Sequence, residues 1–418
     1  MDFPQLPQPP EEYLCHGLNN LVFDETNYDR QEMHSEYSRL QGKFNEQQEK
    51  NFHDVMDSVE SKQGGVYFVY GSGGCGKTYL WRTIICKLRS EGKIVLPVAS
   101  SGIAATLLPG GRTAHSRFKI PINLDENSFC NIGHNSDIAH LIRNTSLIIW
   151  DEAPMQHRYV FECLDRSFRD LMKSVDSKYY HLPFGGITVL FCGDFKQILP
   201  VITYGSRSDI VSACITRSKL WNICQIYLLH QNMRLSGTCS DSEKELLKEF
   251  ACWVLDVGNG NTQQFEGGMS SSSEFEISIP PGFCNMEHCN SVENMIVNIF
   301  PGFLQNYKNS NYISERAILT PTNQTVSYIN SKIVEMIPGE EFCYLSVDRA
   351  DDFGGTDAEL DVAFPTEYLN SLCIPGLPNH ELKLNEGVVV MLMRNLNQTL
   401  GLCNGTRLIV TKCFKYCV

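Results

Sequence analysis

Residues 66–82 read VYFVYGSGGCGKTYLWR, and the fold turns on them. Val66 to Tyr70 are five apolar or aromatic residues in a row, the pattern of a buried strand. They run directly into Gly71-Ser72-Gly73-Gly74-Cys75-Gly76-Lys77-Thr78, after which the spacing turns helical. Strand, glycine loop and helix in that order are the context that makes G-x-x-x-x-G-K-[ST] a phosphate-binding loop. Glycines let successive backbone N–H groups point inward at phosphate oxygens, and the helix turns its positive end to the same anion. Lys77 then falls on the β- and γ-phosphates of a nucleotide, and Thr78 offers its hydroxyl to Mg²⁺. The alternative is a glycine-rich turn with a chance Lys-Thr, and the flanking strand and helix weigh against it.

Upstream, Gln41 to Lys62 interleave charges with Phe44, Phe52, Val55, Met56 and Val59 at helical spacing. Gln47 and Gln48 lie there, just ahead of the loop; either one reads a base such as adenine or both are solvated helix residues. Residues 1–40 mix proline, acidic and scattered apolar residues, which suggests a loosely packed arm. Downstream, Lys93–Ala99 is a second buried strand, followed by SSGIAATLLPGGRTAHSRFKIP over 100–121. Small residues there permit close backbone approach, while Arg112, His115, Arg117 and Lys119 bring positive charge beside Phe118. That mixture suits a single-strand contact surface, or else a charged loop covering the sheet edge.

Ser146–Trp150 (SLIIW) is another strand, and it delivers Asp151-Glu152. Beside a phosphate loop, Asp151 can hold the magnesium shell and Glu152 can orient and deprotonate the attacking water. Ile187–Cys192 (ITVLFC) repeats the pattern and ends in Gly193-Asp194-Phe195-Lys196-Gln197, at the crevice where open α/β sheets bind ligands. Gln197 is the candidate γ-phosphate sensor there. Arg234, in LLHQNMRL, is either an arginine finger or a surface ion-pair residue. The Gly/Ser/Asn-rich run GNGNTQQFEGGMSSSSEF reads as a connector with a domain boundary inside it. Beyond it a helix near 291–300, a strand at Arg316–Thr320, a helix to about Met336 and strands at Val388–Met393 and Arg407–Lys412 suggest a second α/β unit.

With 418 residues, 42% hydrophobic and 20% charged, the chain has room for two or three ordinary globular domains. No apolar run reaches the roughly 18 residues a bilayer requires, so no membrane association is expected. The opening MDFPQLPQPPEEY resembles neither a signal nor a basic transit peptide, which points to an intracellular protein. Seventeen cysteines without a C-x-x-C pair read as buried thiols rather than a disulfide frame or zinc ribbon. A net charge of −13 excludes a protein whose whole surface coats nucleic acid, but not a local basic groove. Nothing signals a stable oligomer, so a monomer is expected.

The phosphate loop, WDEAPM, FCGDFKQILPV, NMRL, RAILTPTN and EYLNSLCIPGLPNHELKLNEGVVVMLMRNLNQTLGLCNGTRLIV together resemble the Pif-type family of superfamily-one DNA helicases, in the form abundant in plants, from about residue 40 onward. The resemblance implies an α/β fold of two RecA-like P-loop NTPase domains with parallel sheets flanked by helices, the second incomplete. On that basis 1–40 is an arm, 41–235 the first domain, 236–300 a connector with accessory helices, and 301–418 a partial second domain. It implies ATP and Mg²⁺ as cofactors, single-stranded DNA and duplex junctions as partners, and five-prime to three-prime movement. Repair, recombination and telomere upkeep in the nucleus or an organelle are implied likewise.

Residue by residue it puts Gly71, Ser72, Gly73, Gly74, Cys75, Gly76, Lys77 and Thr78 on the nucleotide, with Gln48 beside it. Asp151 and Thr78 take the metal, Glu152 the water, and Gln197 and Arg234 the γ-phosphate. Ser101, Gly102, Thr113 and His115 contact the strand, and Thr322 and Asn323 are their counterparts in the second domain. Cys75 stands where the family usually has Thr, and His230 replaces a common Thr. Family members continue past GLCNGTRLIV into an SH3-like insertion, a Gln-Gly motif and a last arginine, none of which Cys413–Val418 contains. Loss of such an arginine typically costs ~10³-fold in turnover. The expectations are therefore an ATP-dependent DNA helicase or, alternatively, a nucleotide-dependent single-strand binding module without unwinding. A phosphate-loop kinase fits less well, since Asp151-Glu152 and GDFKQ match hydrolytic motors.

Overall fold

The computed structural model describes residues 20–236, 241–261, 277, 279–280, 291–320, 322–348, 365–372, 378–394, 396, 401–402 and 404–415. It divides into two units, Met1–Asn261 and Thr262–Val418. The division falls inside the Gly/Ser/Asn-rich run, later than the end at 235 expected for the first domain.

In the first unit, helices α1 (Asn20–Thr26), α2 (Arg30–Gln41) and α3 (Glu46–Ser61) precede strand β1 (Val66–Gly71), the apolar run of the opening motif. Helix α4 (Lys77–Ser90) follows the loop, then β2 (Ile94–Ala99), α5 (Gly102–Thr106), β3 (Arg112–Thr113), α6 (Ala114–Phe118) and α7 (Asp137–Arg143). The unit continues through β4 (Thr145–Asp151), α8 (Arg158–Lys173), β5 (Thr188–Gly193), α9 (Arg207–Ala213), β6 (Gln225–Leu229) and α10 (Asp241–Asn259). The six strands lie in the order β3-β2-β4-β5-β1-β6, parallel throughout.

Near-continuous apolar strands are what a parallel sheet covered on both faces demands. Along β4 the alternation sorts the layers. Ile148 and Trp150 pack with Phe118, Phe161 and Phe168 on one face, while Leu147 and Ile149 pack with Val55, Leu80, Trp81 and Ile84 on the other. Full burial of each such side chain stabilises by about 1.5–3 kcal/mol. Because β5 sits between β1 and β4, one sheet edge gathers the carboxyl ends of the phosphate-loop strand, the GD strand and the DE strand.

One expectation changes here. From residue 20 the arm is fastened rather than loose: Glu25, 5% exposed, pairs with Arg89 of α4 at 3.5 Å and with Arg117 of α6. The Arg89 guanidinium also lies 3.9 Å from the Tyr28 ring centroid. Helix α10 lies within the 236–300 stretch expected to hold a connector with accessory helices, and Leu246, Phe250 and Val254 recur along it every fourth residue.

The second unit holds α11 (Val292–Ile299), α12 (Phe303–Asn306), α13 (Ser310–Ser314) and α14 (Asn323–Met336). Their core joins Ile296, Phe303 and Ile329 to Leu384 and Val410. Strands β7 (Phe342–Leu345) and β8 (Glu381–Leu384) pair antiparallel, as do β9 (Val389–Met391) and β10 (Arg407–Ile409). The parallel sheet expected there is not present among the described residues. Arg316–Thr320 is not a strand either: Leu319 is 93% exposed, so the run lacks the two-sided cover a parallel strand needs. Among the described residues no helix is long and apolar enough to cross a membrane.

Candidate nucleotide and strand-contact site

The loop between β1 and α4 curls through Gly74 (φ 91°) and Gly76 (φ 76°), a backbone that side chains rarely adopt. A Cβ at Gly76 would come within 2.5 Å of Gln48 Nε2. Cys75 is 1% exposed with its Sγ 3.3 Å from Ser72 Oγ, so it faces the core and leaves the cradle to the backbone. Lys77 opens α4, and its ammonium donates to the carbonyls of Gly71 (2.6 Å) and Ser72 (3.2 Å), over the mouth of the loop. Gly73 and Thr78 are exposed.

Gln48 is fully buried. Its Oε1 accepts from Asn45 N (3.1 Å) in the capping box of α3, and its Nε2 donates to Gly76 O (3.4 Å). The side chain is therefore neither a solvated helix residue nor free to read a base; it braces the loop. Gln47 accepts from His230 N at 3.1 Å, and Met233 N donates to Gly74 O at 2.9 Å, so the segment after β6 lies along the loop. Arg234 falls in the 3-10 turn Met233–Ser236; its side chain lies outside the described residues.

At the end of β4, Asp151 is 7% exposed, and its Oδ1 accepts from Glu152 N (3.0 Å) and from the Cys192 thiol (2.9 Å). Burial, reinforced by Asp151, pushes the Cys192 thiol well up, keeping it a donor. Glu152 is a non-glycine residue in the left-handed region (φ 52°, ψ 40°), a conformation that costs about 1–3 kcal/mol and persists where surroundings hold it. Its Oε2 is buried without a hydrogen-bond partner. Burial holds its carboxyl above the ordinary range, with the negative charges of Asp151 and Asp194 acting in the same sense and Lys77 opposing them.

Ser100 supplies the hold on Glu152. Its hydroxyl donates to Glu152 O (2.7 Å) and accepts from Trp150 Nε1 (3.2 Å), while its carbonyl accepts from Gln156 Nε2 (3.1 Å). One residue thus joins the end of β2 to the end of β4. Ser100 and Cys192 are site residues that motif spacing does not single out, since they meet Asp151 and Glu152 from 41 to 52 positions away. Asp194, 5% exposed, accepts from Lys196 N (3.0 Å) and shapes the turn that carries Gln197, whose side chain is exposed.

Ser101 accepts from Ala104 N (3.2 Å) and caps α5, which Gly102 opens. Thr113 pairs with Ala99 across β3 and β2, and His115 follows on α6, its imidazole pKa lowered by burial. All four therefore sit at the carboxyl end of two adjacent strands, next to Ser100. The basic-aromatic set around them is smaller than it looked. Arg117 is 4% exposed and ion-paired with Glu25, its pKa lowered to about 10 by burial, and Phe118 packs on Trp150 and Phe168. Both belong to the core because α6 turns them inward. In the second unit, Thr322 caps α14, accepting from Thr325 N (3.3 Å), and Asn323 begins the helix; both are exposed.

These residues fit the groups the motif implies. Backbone donors and Lys77 suit a triphosphate, Thr78 and Asp151 offer hard oxygens of the kind Mg²⁺ takes, and the orphaned Glu152 Oε2 lacks only a donor such as water.

A family model described as "PIF1-like helicase" matches residues 43–268, just over half of the chain. A second, "DNA helicase Pif1, 2B domain", matches 367–413, a stretch not anticipated as separate from the rest of 301–418. An ATP-dependent DNA helicase PIF4 of Trypanosoma brucei brucei is 34% identical over 140 residues, 32% of this chain and 16% of its own. An ATP-dependent DNA helicase Pif1 of Psychrobacter sp. is 26% identical over 350 residues, 82% of this chain and 44% of its own. The chain thus spans less than half the length of these relatives. In fold it is similar to the crystal structure of Pif1 helicase from Bacteroides in complex with ADP-AlF3 and ssDNA (TM-score 0.52, 20% identity, 87% of this chain and 70% of that one). From the phosphate loop through α10, and by the match of more than half its residues, the chain belongs to the PIF1-like helicase family.

Proposed function

We propose that this chain is an ATP-dependent DNA helicase, hydrolysing ATP as it moves five-prime to three-prime on single-stranded DNA. The observation that carries the reading is Glu152: a carboxylate with one buried, unpartnered oxygen, held between Asp151 and Lys77 at the mouth of a phosphate loop. Names of the relatives, and the ssDNA and ADP-AlF3 held by the Bacteroides protein, support it.

In this reading Lys77 leaves the Gly71 and Ser72 carbonyls for the β- and γ-phosphates, and the loop N–H groups hold the same oxygens. Thr78 and Asp151 hold Mg²⁺, which when bound neutralises charge between the phosphates. Glu152 Oε2 takes a proton from the attacking water, and its raised affinity for protons suits a base. Gln197 and Arg234 serve as γ-phosphate sensors. Ser101, Gly102, Thr113 and His115 contact the strand, and Ser100 carries strand engagement to the Glu152 backbone; Thr322 and Asn323 serve the second unit. Duplex junctions, a nuclear or organellar setting and roles in repair, recombination and telomere upkeep accompany the reading.

The test is ATP turnover by the 418-residue chain with and without single-stranded DNA, beside Lys77→Ala. DNA-stimulated turnover that the variant loses, by about 10²-fold or more, is the expected result; an active variant would sink the mechanism. One observation favours a second reading, a nucleotide-dependent strand binder: the second unit shows no parallel sheet among its described residues. ATP binding with no turnover above that of Lys77→Ala would select it.

A further inference from the structure

We propose that an open groove lined by Arg158, Arg207 and Arg217 is a second nucleic-acid site, which grips the phosphodiester backbone of a strand running beyond the Ser101–His115 contact. The inference rests on the DNA-binding reading above and extends it to a part of the molecule that reading does not use.

Arg158 is the first residue of α8, Arg207 the first of α9, and Arg217 the last of the 3-10 turn Ile215–Arg217. With Ser208, Val211 and Ser212 they line one groove of ≈ 550 Å³. Its base is set by the core: Ala213 and Ile215 are 2% and 1% exposed. The three arginines therefore reach one groove from two stretches of chain, one that follows β4 and one that follows β5.

Two of the three charges are left without a partner. Arg158 has Glu162 at 3.4 Å, and Arg207 and Arg217 have no ion-pair partner among the described residues. The nearby Asp209 carboxylate accepts from Ser206 N and Ser206 Oγ, both at 2.8 Å, in the capping box of α9. In a chain of net charge −13 a concentration of unpaired cations at one edge is unexpected on solubility grounds.

Lining chemistry selects the ligand. Guanidinium forks and serine hydroxyls are donors matched to phosphate oxygens. Among the described lining residues none is aromatic, and the adjoining Tyr159 ring is already covered by the Arg158 guanidinium at 4.8 Å, so the lining suits the backbone rather than base stacking. The groove is open to solvent rather than enclosed, as a site for a polymer must be.

The experiment uses the full chain and the double variant Arg207→Glu/Arg217→Glu, both positions exposed and outside the catalytic set. Affinity is measured across a salt series for single strands of about 8 and about 30 nucleotides, lengths that bracket one contact site and two. We expect the variant to bind the long strand about tenfold more weakly, with a salt slope lower by roughly 0.7 per phosphate lost, while short-strand binding and basal ATP turnover stay unchanged. Arg207→Gln/Arg217→Gln should give the same pattern at smaller amplitude and stands in should charge reversal unfold the chain. Unchanged long-strand affinity and slope in either variant would overturn the proposal. If the wild-type chain binds neither strand, the DNA-binding reading itself has failed.

Discussion

Glu152 shows how much of this site is made by three or four neighbouring atoms. Its left-handed backbone is pinned by the Ser100 hydroxyl, and its carboxyl is surrounded by burial, Asp151 and Asp194, all of which disfavour ionisation. A base must be ionised to act, so turnover falls as pH drops through this raised value, earlier than for an ordinary glutamate. Asp194→Asn removes one of the opposing negative charges and lowers the Glu152 pKa. The acid limb of the kcat profile should then shift to lower pH, and an unmoved limb would mean that another group sets it. The adjacent carboxylates were legible as Asp-Glu after an apolar strand because their order along the chain is the signal. The pin was not, since Ser100 meets Glu152 only when β2 lies beside β4. The surroundings of Gln48 were hidden for the same reason: its amide bonds Asn45 and Gly76, the latter 28 residues on.

Among elements, α1 gives the sharpest expectation. Its Glu25 is the carboxylate that neutralises two arginines, 2% and 3% exposed in their side chains, one on α4 and one on α6. Removing one partner of a buried ion pair strands the other charge, at about 3–5 kcal/mol. Glu25→Ala should therefore lower unfolding free energy by about that amount in a urea melt, and loss of less than about 1 kcal/mol, typical of a surface pair, would contradict the buried geometry. The acidic, proline-rich composition around it gave no hint, because partners 64 and 92 residues away decide whether a glutamate is a solvated face or a keystone of the core. Helices α3 and α4 and strands β1, β2, β4 and β5 were readable, each having enough consecutive periodic residues to outvote its surroundings. The run Arg316–Thr320 has only three consecutive apolar residues, and with Leu319 93% exposed nothing covers it as a strand.

At the level of the whole molecule, each unit has a core of its own. The two clusters of the first unit draw only on residues up to Leu229, and the cluster of the second only on residues from Ile296 onward. A chain ending at Asn261 should accordingly melt cooperatively by circular dichroism and bind ATP in a manner abolished by Lys77→Ala; aggregation or non-cooperative melting of that piece would show that the first core is incomplete without the second unit. By itself the sequence determined the phosphate loop, the strands that frame it and the acidic pair, because these are contiguous patterns whose physics is local: apolar runs, glycine freedom and turn composition. Only the tertiary structure decided that Arg117 and Phe118 face inward, that Gln48 and Ser100 brace the site, that α1 belongs to the core, and that the strands of the second unit pair antiparallel. Each of those outcomes depends on which distant residue supplies the missing hydrogen bond, charge or apolar cover, and burial of that kind is settled by packing after the chain has folded back on itself.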